Sequence, residues 1–145
     1  MNIKTIELLD ESQCVELEAL LVERIYEYNA EVTGYADGRL IGGCIHDAGI
    51  LVAGFSGHTW GGVCVITHLW LAKQYRRQGL GRTLLQSAEQ EALRRHCVFM
   101  LLATHSFQAP AFYERQGYER LCTINDWPVA HANSVYRKLL RNDKP

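Results

Sequence analysis

At 145 residues and 16.5 kDa the chain suits one domain spanning residues 1–145, since ~100–200 residues per domain is usual and a chain of this size buries roughly 68–70% of its unfolded surface. A content of 48% hydrophobic and 21% charged residues excludes intrinsic disorder, and every apolar run falls far short of the ~20 residues that span a bilayer. The net charge of −1 without a Lys/Arg run offers no footprint for nucleic acid, and the opening Met-Asn-Ile-Lys-Thr-Ile-Glu lacks the pattern of a signal peptide, so a cytoplasmic protein without membrane or nucleic-acid partners is expected.

Residues 3–9 alternate apolar and polar side chains and predict a first strand. Asp10 with Gln13 makes a D-x-x-Q capping box that opens a helix. Its apolar stripe is Cys14, Leu17, Leu20, Leu21, Ile25 and Tyr28, and it fades before Gly34. From Arg39 the period changes. Residues 40–46, 50–56 and 63–71 predict three strands, joined by Gly-containing turns at 47–49 and 57–62, as in an antiparallel meander. A second helix follows the third strand, with Leu84, Leu85, Ala88, Ala92 and Leu93 on one face.

Residues 98–103 form a continuous apolar run, the mark of a strand buried on both faces. The long helix before it predicts that it lies parallel to the strand ending near Leu71. Pro110 begins a short helix that Gly117 stops. Residues 118–124 and 134–140 are closing strands, and the connection at 125–133 carries Trp127, Pro128 and His131. The expected architecture is mixed α/β, a sheet with helices on both faces.

The five cysteines are scattered, with no C-x-x-C pair, and each has apolar neighbours, which predicts small hydrophobic filler rather than a metal or disulfide framework. The chemistry lies elsewhere. Gly79 and Gly81 sit between a strand and a helix, where the backbone N–H groups and the helix N-terminus favour an anion. Arg76, Arg77 and Arg82 add charge at the same corner, suited to a pyrophosphate or 3′-phosphate. Neither G-x-G-x-x-G nor G-x-x-x-x-G-K-[ST] is present here.

Arg76-x-x-Gly79-x-Gly81 after an apolar strand resembles the acyl-CoA signature of the GNAT superfamily of N-acetyltransferases. Phe112-Tyr113-Glu114-Arg115-Gln116-Gly117-Tyr118, some thirty residues on, resembles that family's second motif. The resemblance is strongest from Val63 to Tyr118. It implies a mostly antiparallel sheet with one splayed parallel strand pair, and acetyl-CoA as co-substrate without a metal. It further implies that backbone at Leu69, Trp70 and Leu71 bonds the pantetheine arm like an added strand, and that a backbone N–H there polarises the thioester carbonyl. The amides from Arg77 through Gln78, Gly79, Leu80 and Gly81 to Arg82 would hold the pyrophosphate. Tyr113 would give its proton to the departing thiolate.

Two departures from the family pattern matter. Ser106, expected to contact the pantetheine arm through one hydrogen bond, stands where many relatives carry Asn, and the strand before the glycine loop offers Val63, Val65 and Thr67 but no carboxylate as base. The base is then a histidine, a carboxylate acting through water, or solvent. His131, five residues from Asp126 in the stiffened connection, ranks ahead of His68 and His58 as the base. His68 shares the parity of Ile66 and Trp70, and reaches the acceptor side only through a bulge. The resemblance therefore implies acetyl transfer to a primary amine of a small molecule in a ternary complex. The alternatives are a non-catalytic acyl-CoA sensor and a toxin acting on aminoacyl-tRNA, which the dispersed Lys/Arg disfavour. A homodimer is compatible with the sequence.

Overall fold

The computed structural model describes residues 5–140. Its elements are α1 (Glu11–Thr33), β1 (Arg39–Asp47), β2 (Ile50–Trp60), β3 (Val63–Leu71), α2 (Leu80–Arg94), β4 (Phe99–His105), α3 (Pro110–Arg115), β5 (Glu119–Asn125) and β6 (Ala132–Leu139). The chain forms two compact units, Met1–Ala36 and Asp37–Pro145.

The first unit is built on α1, and both of its ends follow from the sequence. Asp10 accepts from the Gln13 N–H at 2.9 Å while its own N–H donates to Gln13 Oε1 at 3.0 Å. Each bond satisfies a donor that the helix itself leaves without a partner. Gly34, at φ 78°, closes the helix by donating to the Ala30 carbonyl at 2.8 Å. The strand expected at residues 3–9 does not form over 5–9, and residues 1–4 lie outside the described residues. Alternation provides a face, but a strand also needs a neighbour to take its backbone hydrogen bonds.

The second unit carries a six-stranded sheet in the order β1-β2-β3-β4-β6-β5, antiparallel except for the parallel pair β3–β4. Strands β3 to β6 lie within two residues of expectation, but β2 does not stop at Ser56. It continues through Gly57 to Trp60, and the turn is confined to Gly61 and Gly62. Gly57 serves a different need from the turn it suggested. A side chain there would collide with the Val65 carbonyl oxygen across the ladder. The β2–β3 register shifts at this point, pairing Ser56 with His68 and Gly57 with Ile66, so Thr67 is an extra residue on β3.

That bulge falls where β3 leaves β4. The two strands pair over only four positions, Val63–Ile66 against Phe99–Leu102. β3 then runs on to Leu71 and β4 to His105 without pairing each other, while β4 stays paired to β6 along its whole length. The sheet is therefore split from Thr67 onward.

One face of the sheet packs on α2. Leu84, Leu85, Ala88 and Ala92 share a core with Ala53, Phe55, Cys64, Ile66, Met100, Leu102 and Tyr136. The small side chains at 88 and 92 let the helix approach the strands closely. Glu89 of α2 also accepts from the Tyr118 hydroxyl at 2.9 Å and the Lys138 ammonium at 3.0 Å. In β4, Met100 and Leu102 are buried whereas Phe99 and Leu101 are half-buried, so its apolar run is asymmetric.

The cysteines divide in two. Cys64 and Cys97 are buried, whereas Cys14, Cys44 and Cys122 are exposed, which corrects the reading of all five as filler. Cys44 and Cys122 lie on β1 and β5, the two edges of the sheet, where one side of each strand lacks a neighbour. Burial pushes the Cys64 thiol up to about 12 and raises that of Cys97. Since the thiolate is the reactive form, iodoacetamide followed by peptide mapping should label Cys44 and Cys122 in the native protein but Cys64 and Cys97 only after denaturation. Native labelling of Cys64 at the rate of Cys122 would contradict this packing.

Candidate functional site

The split in the sheet opens a cleft of about 870 Å³. This lies within the roughly 300–1,000 Å³ typical of small-molecule sites. One wall is the freed arm of β3, from Thr67 to Leu71; the opposite wall is Ala103 and Thr104 at the end of β4, with Phe107, Gln108 and Ala109 beyond it. The glycine loop and α3 close the remaining sides.

The β3 arm offers backbone to this space. Ala72 donates to the Val52 carbonyl at 2.8 Å, so its N–H points toward β2. Alternation along an antiparallel strand then turns the N–H groups of Trp70 toward β2 and those of Leu69 and Leu71 toward the cleft. Leu71's carbonyl accepts from Arg76 Nε at 3.1 Å, on the same side. Arg76 thus spends part of its guanidinium on fixing the strand-to-loop corner.

The loop itself carries two left-handed residues, Arg77 at φ 61° and Gly79 at φ 83°. Gly79 caps α2 through its backbone alone: its carbonyl accepts from the Thr83 N–H at 3.1 Å and the Thr83 hydroxyl at 3.0 Å. The first-turn N–H groups of Leu80, Gly81 and Arg82 have no helical partner and stand at the positive end of α2. Gly81 has a packing reason. A Cβ at this position would lie 3.3 Å from Phe112 Cζ and 3.7 Å from Leu71 Cδ1. Arg76, Arg77, Gly79, Gly81 and Arg82 line the cleft, whereas Gln78 and Leu80 do not. The Gln78 side chain turns back to the Gln74 carbonyl at 2.9 Å.

Tyr113 reaches the cleft from α3, which opens with Pro110 in its first turn. Its side chain is 8% exposed and burial raises its phenol above the ordinary tyrosine value, so it stays protonated at neutral pH. Phe112 and Tyr118 meet its ring edge-on at 5.1 and 5.8 Å between centroids. Neighbouring Glu114 accepts from the Tyr136 hydroxyl at 2.7 Å and from Arg120 at 3.1 Å, which pins α3 to β5 and β6. Among the described residues nothing hydrogen-bonds the Tyr113 hydroxyl itself.

The histidines sort differently from the sequence expectation. The extra residue Thr67 reverses the parity of β3, so Leu69 and Leu71 join Ile66 against the core and His68 and Trp70 turn to the other face. His68 lines the cleft, with its Nδ1 3.3 Å from Ser56 Oγ. His131 does not line it. Its ring instead meets Phe107 edge-on at 5.0 Å. Asp126 does not orient that ring, because its carboxylate accepts from the Ala130 N–H at 3.4 Å and only its backbone N–H meets the His131 carbonyl. Ser106 also stays out of the cleft, exchanging bonds with Ala132 through its hydroxyl at 3.1 Å and its N–H at 2.8 Å.

Thr104, Phe107, Gln108, Ala109, Arg115 and Gln116 also line the cleft, and sequence reasoning assigned none of them a role. Gln108 holds the loop in place by accepting from the His105 N–H at 2.7 Å. Its position just before Pro110 carries no signal beyond that of an ordinary helix approach. Among the described residues no group of His, Cys, Asp and Glu side chains is arranged to hold a metal ion, and no helix is long and apolar enough to cross a membrane.

Comparison with known proteins agrees with this geometry. The profile of the acetyltransferase (GNAT) family matches residues 4–118. Blasticidin-S acetyltransferase from Streptomyces morookaense is 35% identical over 83 residues, covering 57% of this chain and 61% of that protein, so the match spans less than two thirds of the relative's length. The crystal structure of an acetyltransferase from Bacillus cereus superposes with a TM-score of 0.80 at 25% identity, over 97% of this chain and all of that one. An aminoglycoside 6'-N-acetyltransferase complexed with coenzyme A shares the fold with a TM-score of 0.64 at 15% identity, over 73% of this chain and 76% of its own.

Proposed function

The chain belongs to the acetyltransferase (GNAT) family, and from that premise we propose that residues 1–145 act as one domain that moves the acetyl group of acetyl-CoA to a primary amine of a small molecule. The observation that carries this reading is the split between β3 and β4, which leaves the N–H groups of Leu69 and Leu71 without a strand partner directly beside a glycine loop at a helix N-terminus. An extended pantetheine arm completes such an edge as a strand does. The loop amides from Arg77 to Arg82 take the pyrophosphate, and the arginines add charge there. Ser106 acts by holding the end of β4 to β6 rather than by touching the ligand.

Transfer proceeds by direct attack in the ternary complex. An alkyl amine has a pKa near that of lysine, ~10.4, and must lose a proton before its lone pair attacks the thioester carbon. His68 accepts that proton. With Nδ1 held by Ser56, Nε2 is the nitrogen left for the amine. The Leu69 or Leu71 N–H polarises the thioester oxygen, and Tyr113 donates its proton to the departing sulfur. His131, expected from sequence as the base, supports the wall through Phe107 instead.

Two experiments test these roles. In a thiol-release assay with acetyl-CoA and a panel of primary amines, Tyr113→Phe should slow turnover by roughly 10²–10⁴ while calorimetry finds acetyl-CoA affinity retained. Wild-type turnover in that variant would return Tyr113 to a packing role, and acetyl-CoA binding without thiol release for any amine would fit a sensor. For the base, His68→Gln should remove the acidic limb of the kcat/KM profile, and His131→Gln should keep it. The opposite assignment of that limb would overturn the choice of His68.

A further inference from the structure

Among the described residues, no aspartate and no glutamate lines the cleft. Four arginines do line it, Arg76, Arg77, Arg82 and Arg115. An amine substrate arrives as a cation, and one bearing several ammonium groups needs carboxylates to replace the water it loses. This cleft has none to give. The lining of this cleft therefore favours recognition of the acceptor by something other than charge pairing.

What the mouth offers instead is exposed aromatic surface. Trp70 on the β3 arm and Phe107 on the opposite wall both line the cleft, and they are 49% and 58% exposed. Phe107 is the centre of a fixed cluster. His105 stacks parallel to it with centroids 5.4 Å apart and planes at 2°, and His131 meets it edge-on at 76°. Trp127, itself 52% exposed, meets His105 edge-on at 5.7 Å, and its carbonyl lies 3.0 Å from His105 Nδ1. Rings locked against one another yet open to solvent lose little freedom when a ligand covers them, so a flat partner gains most of its contact energy.

We propose that the acceptor is a singly charged primary amine carried on a planar aromatic or heteroaromatic ring, which lies on the Phe107–Trp127 cluster while its amine reaches His68. This rests on the acetyltransferase reading and narrows it by excluding polyamines and other polycations. It also gives the connection between β5 and β6 a purpose: that segment supplies Trp127 and His131 to hold the platform in place.

The test uses the full chain with acetyl-CoA and three amines: 2-phenylethylamine, 2-cyclohexylethylamine and spermidine. The first two share the chain length of the amine and similar apolar size, so their ratio isolates the contribution of the planar ring. The expected result is a kcat/KM for 2-phenylethylamine roughly ten-fold above that for 2-cyclohexylethylamine, with spermidine the poorest of the three. Phe107→Leu should collapse the aryl-to-cyclohexyl ratio toward one, which misfolding or lost cofactor binding would not do because either lowers both rates alike. A wild-type ratio near one, or a preference for spermidine, overturns the aromatic assignment and leaves the acetyltransferase reading standing. Acetyl-CoA binding with no thiol release for any amine overturns both.

Discussion

The β3–β4 ladder ends after four residue pairs, and most of the site is a consequence of that ending. A parallel pair inside a sheet ordinarily satisfies every backbone donor along its length. Here the ladder to β2 persists on one side of β3 and the ladder to β6 persists on one side of β4, so the loss falls only on the edges that face each other. Two strands are held apart by their outer ladders, with the N–H groups of Leu69 and Leu71 facing the gap. The bulge at Thr67 supplies the local twist, and Gly57 on β2 supplies the space that the bulge requires.

The same one-residue insertion decides which side chains face the cleft. Without it, His68 and Trp70 would follow Cys64 and Ile66 into the core beneath α2. With it, Leu69 and Leu71 take the core positions, and an imidazole and an indole are delivered to the cleft. The two side chains proposed to move protons sit in unlike environments. Tyr113 is buried and keeps its proton, as the proposed donor to a leaving thiolate must, whereas His68, the proposed base, lies on the open face beside Ser56. Side-chain character divides in a parallel way, with Arg76, Arg77 and Arg82 at the glycine loop and the rings of Trp70 and Phe107 on the facing walls.

Much of this was legible in the sequence where local chemistry is decisive. The D-x-x-Q box, Gly34, the Arg76-x-x-Gly79-x-Gly81 corner and the Pro110–Gly117 helix each act within a few residues, and each is found where expected. Features that depend on a distant strand were not legible. Gly57 looked like a turn because a glycine needed for close approach to Val65 is indistinguishable, in one dimension, from one needed for a bend. His68 had the wrong parity until an extra residue on its own strand reversed it. Asp126 and His131 are close in sequence, but the turn between them uses their backbones and sends the imidazole to Phe107. The strand expected at residues 3–9 had a pattern but, over 5–9, no ladder to join.

The claim on which the account turns is that the Leu69 and Leu71 backbone is the edge completed by the acyl donor. Residue-resolved amide hydrogen exchange with and without acetyl-CoA measures this directly. The account predicts that the Leu69 and Leu71 amides exchange freely in the unliganded protein and become protected on saturation with acetyl-CoA, while Trp70, facing Gly54 of β2, is protected in both states. Saturating acetyl-CoA that leaves the Leu69 and Leu71 amides exchanging at their unliganded rates would contradict it.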